Sequence, residues 1–137
     1  MSAPVETLRT VPLFAELEER ELEQLARQMH ERRFLEGADV TSEGAGGAGF
    51  FVIAEGNADV AVGGEYRASL GPGDFFGEIA LIDTGLRSAS ITATTELLCY
   101  GLTPWEFRPF VEEHPKVAWA LLQTLAARLR EAQSQSS

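Results

Sequence analysis

Gly71-Pro72-Gly73-Asp74-Phe75-Phe76-Gly77-Glu78-Ile79-Ala80-Leu81, followed by Ile82-Asp83-Thr84-Gly85-Leu86-Arg87-Ser88-Ala89-Ser90-Ile91, is the stretch on which the reading of the chain turns. It opens as a tight turn, because Pro72 presets one backbone angle and the flanking glycines tolerate positive φ. Phe75 and Phe76 supply apolar area that can anchor the residues after them. Gly77 lets the backbone approach another body closely, and Glu78-Ile79-Ala80-Leu81 suits one short helical turn. A helix N-terminus presents unpaired N–H groups and partial positive charge, which together suit an anion. Arg87 comes next, permanently charged and able to fork onto two phosphate oxygens. The stretch reads as an anion cradle.

Working outward, the flanks read as short strands. Phe50-Phe51-Val52-Ile53-Ala54 is a buried run, and Ala58-Asp59-Val60-Ala61-Val62 alternates apolar with polar. Glu55-Gly56-Asn57 between them is a hairpin signal. Tyr66-Arg67-Ala68-Ser69-Leu70, Ala89-Ser90-Ile91-Thr92-Ala93 and Leu97-Leu98-Cys99-Tyr100 add further strands. Short strands punctuated by Gly, Pro, Asn and Asp indicate an antiparallel sandwich or barrel. Gly44-Ala45-Gly46-Gly47-Ala48-Gly49 reads as a flexible connector, and with no adjacent Lys or Arg it is not a phosphate loop.

Helices enclose this β region. Leu22, Leu25, Ala26 and Met29 recur at helical spacing with charged residues between them, which predicts a helix over Glu19–His30. Pro12-Leu13-Phe14 pins the chain ahead of it in a shorter turn. On the other side, Thr103, Pro104 and Glu106 form an N-cap, first-turn proline and capping box for a helix reaching Glu113. Pro115 restarts the chain, and Val117 to Glu131 is a second, longer helix. Its apolar residues (Val117, Ala118, Trp119, Leu121, Leu122, Leu125, Ala126, Leu129) cover more than one face, which predicts contact with both the barrel and a partner chain. The polar tail Ala132–Ser137 is expected to fray.

Composition narrows the function. The 137 residues suit one domain with a real core, and 45% hydrophobic content indicates a globular protein. No apolar run approaches a membrane span, and the N-terminus lacks the pattern of a signal peptide, so the cytoplasm is the expected compartment. A formal net charge of −10 repels nucleic acid and anionic lipid, so direct DNA or membrane binding is not expected. A small anion remains compatible with one local positive pocket. Arg87 is conspicuous there, as the span between Arg67 and Arg108 otherwise holds only acids among its charged residues.

Phe76-Gly77-Glu78-Ile79-Ala80-Leu81 followed by Arg87-Ser88-Ala89-Ser90-Ile91 resembles the phosphate-binding cassette of cyclic nucleotide-binding domains. Such domains occur in the bacterial catabolite activator family, protein kinase A regulatory subunits and cyclic-nucleotide-gated channels. The resemblance covers nearly the whole chain. It implies a mainly β fold with flanking α-helices: a double-stranded β-helix (jelly-roll) barrel with N-terminal helices and two C-terminal helices. The single domain over 1–137 would divide into helices at 1–30, barrel at 31–102 with the cassette at 75–90, and helices at 103–133.

By resemblance, Gly77 brings backbone beside the cyclic phosphate and Glu78 accepts from the ribose 2′-hydroxyl. Phe76, Ile79, Leu81 and Ala89 belong to the same cassette. The amide around Ala80 donates to phosphate, Arg87 pairs with it, and Ser88 reaches the phosphate or a guanine edge. A carboxylate near an anion is unfavourable, so Glu78 belongs on the sugar hydroxyls. Base reading falls to the long helix, where Gln133 can hydrogen-bond adenine. Arg128 meets Glu78 or the base, or faces solvent. No helix-turn-helix follows the long helix in this sequence, unlike the catabolite activator family.

Other residues are set aside. Cys99 is read as core, and Trp105 and Trp119 as helix–barrel packing residues. Glu112-Glu113-His114 has metal-compatible types at a helix junction but no metal is assigned, and His30 is placed at a helix end. No catalytic constellation emerges, so no enzyme is expected. The leading expectation is a sensor domain with no resident cofactor, taking cAMP ahead of cGMP. It would dimerise through the C-terminal helix and signal to an unnamed downstream protein by moving its C-terminal helices. The alternatives are a ligand-free dimerisation module of the same fold, or the sensor fragment of a longer transcription regulator.

Overall fold

The computed structural model describes residues 4–41, 49–77 and 90–136. The expected helical turn Glu78–Leu81, the start of a strand at Ala89 and most of the glycine-rich connector lie outside them. The described chain begins with helix α1 (Val5–Arg9), a 3-10 turn (Pro12–Phe14) and helix α2 (Glu19–Gln28). Strands β1 (His30–Phe34), β2 (Asp39–Thr41), β3 (Phe50–Glu55), β4 (Ala58–Val62), β5 (Glu65–Leu70), β6 (Phe75–Phe76), β7 (Ser90–Ala93) and β8 (Leu97–Leu102) come next. Helices α3 (Pro104–Glu113) and α4 (Pro115–Ser136) close the chain.

The strands make two antiparallel sheets, β1-β8-β3-β6 and β2-β7-β4-β5, which form the jelly roll expected from the resemblance. Two cores result. Phe51, Ile53, Phe76, Leu97 and Cys99 of the first sheet meet Ala58, Ile91 and Ala93 of the second in the interior of the roll. Phe50, Val52, Phe75, Leu98, Tyr100 and Leu102 point the other way, into a core shared with the helices. The first sheet is thus covered on both faces. Its two central strands, β3 and β8, therefore read as apolar runs, Phe50 to Ile53 and Leu97 to Leu102, with no alternation, whereas its edge strand β1 is polar and largely exposed.

Several sequence expectations are corrected. Glu55-Gly56-Asn57 is a turn but not a hairpin, since β3 and β4 belong to different sheets. Asn57 N donates to Thr95 Oγ1 at 3.0 Å and Thr94 N donates to Asn57 O at 3.0 Å, so the turn docks on the β7–β8 connection. The hairpin is β4–β5, closed by Gly63-Gly64 with φ of 60° and 81°. Two consecutive positive φ values suit a two-residue hairpin turn, and glycine adopts them without strain. Helix α2 stops at Gln28, and His30 starts β1, where its Nε2 lies 3.1 Å from Glu106 Oε1.

Trp105 and Trp119 do not pack between helix and barrel; they are 75% and 64% exposed. Helical phase explains both, because Phe107, Phe110, Val117 and Leu121 take the core-facing positions. The tail expected to fray continues α4 to Ser136. The capping box of α3 forms as expected: Thr103 N and Oγ1 each donate to Glu106 Oε1 at 2.9 Å. Cys99 is fully buried, as expected, and burial pushes its thiol up to about 12 against the opposing pull of Arg32.

Candidate functional site

The site is built from the turn that precedes it. Asp74 N donates to Gly71 O at 3.0 Å across Pro72 and Gly73, and Gly73 has φ of 92°, the pattern of a type II turn. The Asp74 carboxylate accepts from Gly71 N at 2.8 Å. Gly73 N donates to Ile53 O, and Ile53 N to Asp74 O, both at 2.9 Å, so the turn is fastened to β3. The chain therefore enters β6 on a fixed path.

β6 is two residues long, and its two rings serve opposite cores. Phe76 stacks on Phe51 inside the roll, with centroids 5.5 Å apart and planes 28° apart. Phe75 faces the helices and lies 5.6 Å from Phe50, which in turn lies 5.0 Å from Phe107 on α3. Successive strand residues point to opposite faces, so adjacent phenylalanines anchor the segment from both sides. Gly77 comes immediately after, with φ of 95°, a region that a Cβ would strain. The next described residue after Gly77 is Ser90, in β7 of the other sheet. The cassette segment 77–90 thus leaves one sheet and returns in the other.

Of the expected site residues, Phe76 ends β6 and Gly77 follows it with positive φ. Glu78, Ile79, Ala80, Leu81, Arg87, Ser88 and Ala89 lie outside the described residues. Gln133 is on α4 with its side chain exposed, held in a helix where a frayed tail was expected. Arg128 is also on α4, and its guanidinium carbon lies 5.0 Å from the Phe75 ring centroid. That distance allows a cation–π contact. The three sequence readings of Arg128 did not include this partner.

Sequence reading also missed Arg32. On β1 its guanidinium lies 5.8 Å from the Phe34 ring and 6.0 Å from the Phe51 ring. Gly101 on the intervening β8 makes this reach feasible, because a Cβ there would collide with the Phe51 ring. The available signal was the spacing of Arg32 and Phe34 on one strand face. It is hidden in the polar run His30-Glu31-Arg32-Arg33.

A concavity of about 320 Å³ lies between α2 and the α3–α4 junction. His114 lines it, with Nδ1 2.8 Å from Phe110 O and Nε2 3.5 Å from Glu21 Oε2. The carbonyl can only accept, so Nδ1 carries the hydrogen. The cleft shares no residue with the cassette.

The model of the family described as cyclic nucleotide-binding domain matches residues 31–114. A cyclic nucleotide-gated potassium channel of Rhizobium etli is 34% identical over 118 residues, covering 86% of this chain and 33% of the channel. The cyclic AMP receptor protein of Thermus thermophilus is 33% identical over 126 residues, covering 88% of this chain and 58% of that protein. This chain thus spans less than two thirds of either relative. The crystal structure of Thermus thermophilus catabolite activator protein aligns with a TM-score of 0.81 and 32% identity, covering 90% of this chain and 61% of that one.

Proposed function

Because the chain belongs to the cyclic nucleotide-binding domain family, we propose that it binds cAMP, in preference to cGMP, as a regulatory sensor. A member of this family is a binding domain and not an enzyme. The carrying observation is the run Gly77-Glu78-Ile79-Ala80-Leu81 with Arg87-Ser88, inside the matched segment and entered from β6 through the positive φ of Gly77. The phosphate is assigned to the 77–81 backbone and Arg87, the ribose 2′-hydroxyl to Glu78, and the base to Gln133 on α4. The name of the Thermus thermophilus relative supports cAMP as the ligand.

Closure of α3 and α4 over the ligand would carry the signal, with His114-Pro115 as the hinge. A homodimer through α4 is part of this reading. Trp119, Leu122 and Leu129 are 64%, 57% and 59% exposed, and with Ala126 they recur at the spacing of a coiled-coil seam. The listener is a further protein. The net charge of −10 argues against DNA bound by this chain itself. Among the described residues no helix is long and apolar enough to cross a membrane.

Isothermal titration with cAMP and cGMP tests the reading: heat is expected with both, at lower concentration for cAMP. No heat at millimolar nucleotide leaves the second reading, an interaction module that uses the exposed α4 stripe alone. Arg87→Ala should weaken cAMP binding by roughly a hundred- to several-thousand-fold, because it strands the phosphate charge in a partly desolvated pocket. Wild-type affinity in that variant would show that the phosphate lies elsewhere.

A further inference from the structure

The cleft between α2 and the α3–α4 junction is floored by Leu25 and Phe110, both buried, with Glu21 and His114 beside them. His114 is the one residue between α3 and α4, and its ring packs on Phe110 with centroids 4.7 Å apart. Nδ1 donates to Phe110 O at 2.8 Å, so a neutral ring turns the bare lone pair of Nε2 toward Glu21. Glu21 is held as firmly. It is the N3 residue of the α2 capping box, and its Oε1 accepts from Glu18 N at 2.9 Å. Its other oxygen, Oε2, faces Nε2 at 3.5 Å, beyond the reach of about 3.2 Å for a well-made hydrogen bond. With the ring neutral, two acceptors stand side by side over an apolar floor, and neither brings a hydrogen to the other.

We propose that this cleft binds a small primary alkylammonium ion. Its nitrogen donates to Glu21 Oε2 and His114 Nε2, and its alkyl stem lies on Leu25 and Phe110. An ammonium has three donors and no acceptor, so one nitrogen serves both atoms. The charge suits a monocation, because the carboxylates of Glu21 and Glu113 stand against the single guanidinium of Arg27. Arg27 and Glu113 are exposed, whereas the side chains of Glu21 and His114 are 31% and 14% exposed, so the inner pair carries the contact. Charge-assisted hydrogen bonds there are less weakened by water than at the surface. A volume of about 320 Å³ lies at the small end of ligand sites. A proton on Nε2 would make it a donor toward Glu21, so proton and alkylammonium exclude each other at this atom. The site does not rest on the nucleotide reading, as none of its residues belongs to the cassette.

Butylammonium chloride, titrated into the nucleotide-free chain in an amine-free buffer at constant ionic strength, tests the site by NMR. The His114 ring and Leu25 methyl signals are followed. At a pH where the His114 ring reads neutral, their shifts should saturate, with a midpoint on the order of millimolar. Tetramethylammonium carries the same charge without an N–H and should give no saturable shift. Glu21→Gln keeps a capping-box residue at N3 while removing the charge, and should weaken butylammonium about tenfold. Lowering the pH until the His114 ring reads protonated should weaken it by at least about tenfold in the wild-type chain. Shifts that stay linear to about 100 mM butylammonium would overturn the proposal, as would an equal response to tetramethylammonium. Wild-type affinity in Glu21→Gln, or binding that ignores the protonation of His114, would overturn it as well.

Discussion

The two sheets carry the same kind of strand in opposite surroundings. β8 is buried along its whole length, Leu97 to Leu102, between the roll interior and the helices. β5, at the edge of the other sheet, is exposed from Glu65 to Ser69. Around β3, β6 and β8 the first sheet is a wall with two filled faces, and the second has one face turned to solvent. The cassette segment leaves the wall at Gly77 and rejoins the second sheet at Ser90. The segment proposed to hold ligand thus leaves from the edge strand β6, whose two rings are set in separate cores.

The largest expected effect breaks that contrast at a single ring. Phe50→Ala empties a fully buried site in contact with Phe75 and Phe107 and should cost about 3–5 kcal/mol in chemical denaturation. Tyr66→Ala on the exposed strand should stay within about 0.5 kcal/mol. Equal losses would mean that the two sheets are not differently buried.

Gly101→Ala sharpens the contrast at intermediate size. The new Cβ would meet the Phe51 ring and lie 2.9 Å from Phe50 O. Phe51 is stacked on Phe76 and cannot swing away cheaply, so a loss of about 1–3 kcal/mol is expected. A neutral result would show that the Phe51–Phe76 stack yields.

The smallest effect lies where the wall joins α3. Burial alone would raise the Glu106 carboxyl, but hydrogen bonds from Thr103 N and Oγ1 and the contact with His30 outweigh it, so the group sits below its ordinary 4.5. Between those two values the unfolded chain binds the proton and the folded chain does not. The contribution is therefore complete above 4.5 and is lost as pH falls through the folded value. Denaturation midpoints measured from about pH 6 down to about pH 3 should fall less steeply in Glu106→Gln than in wild type. Identical slopes would remove Glu106 from the acid response.

Legibility varied with how local the cause was. The α3 capping box and the Gly71–Asp74 turn were readable because neighbours in sequence satisfy each other's backbone groups. The β3–β4 connection was misread as a hairpin, because a turn signal specifies a reversal and says nothing about which sheet the next strand joins. Trp105 and Trp119 were misassigned because an aromatic side chain carries the same apolar area whether it faces a core or solvent. The pairing of Arg128 with Phe75, far apart in sequence, had no local signal at all.

The sequence by itself determined which residue types the cassette segment offers: a turn, two apolar rings, a glycine, a carboxylate and an arginine in an acidic chain. Short punctuated strands and capped helices determined an antiparallel sandwich or barrel with flanking helices, since turn and cap preferences are local energies, and the resemblance of the cassette narrowed that to a jelly roll. The tertiary structure alone decided that Phe75 and Phe76 serve different cores. It also decided that β3 and β4 part into separate sheets, that α4 continues past Glu131, and that Arg128 lies on Phe75. The physical reason is range: burial and ring contacts depend on which distant surfaces meet, and no window of neighbouring residues contains that information.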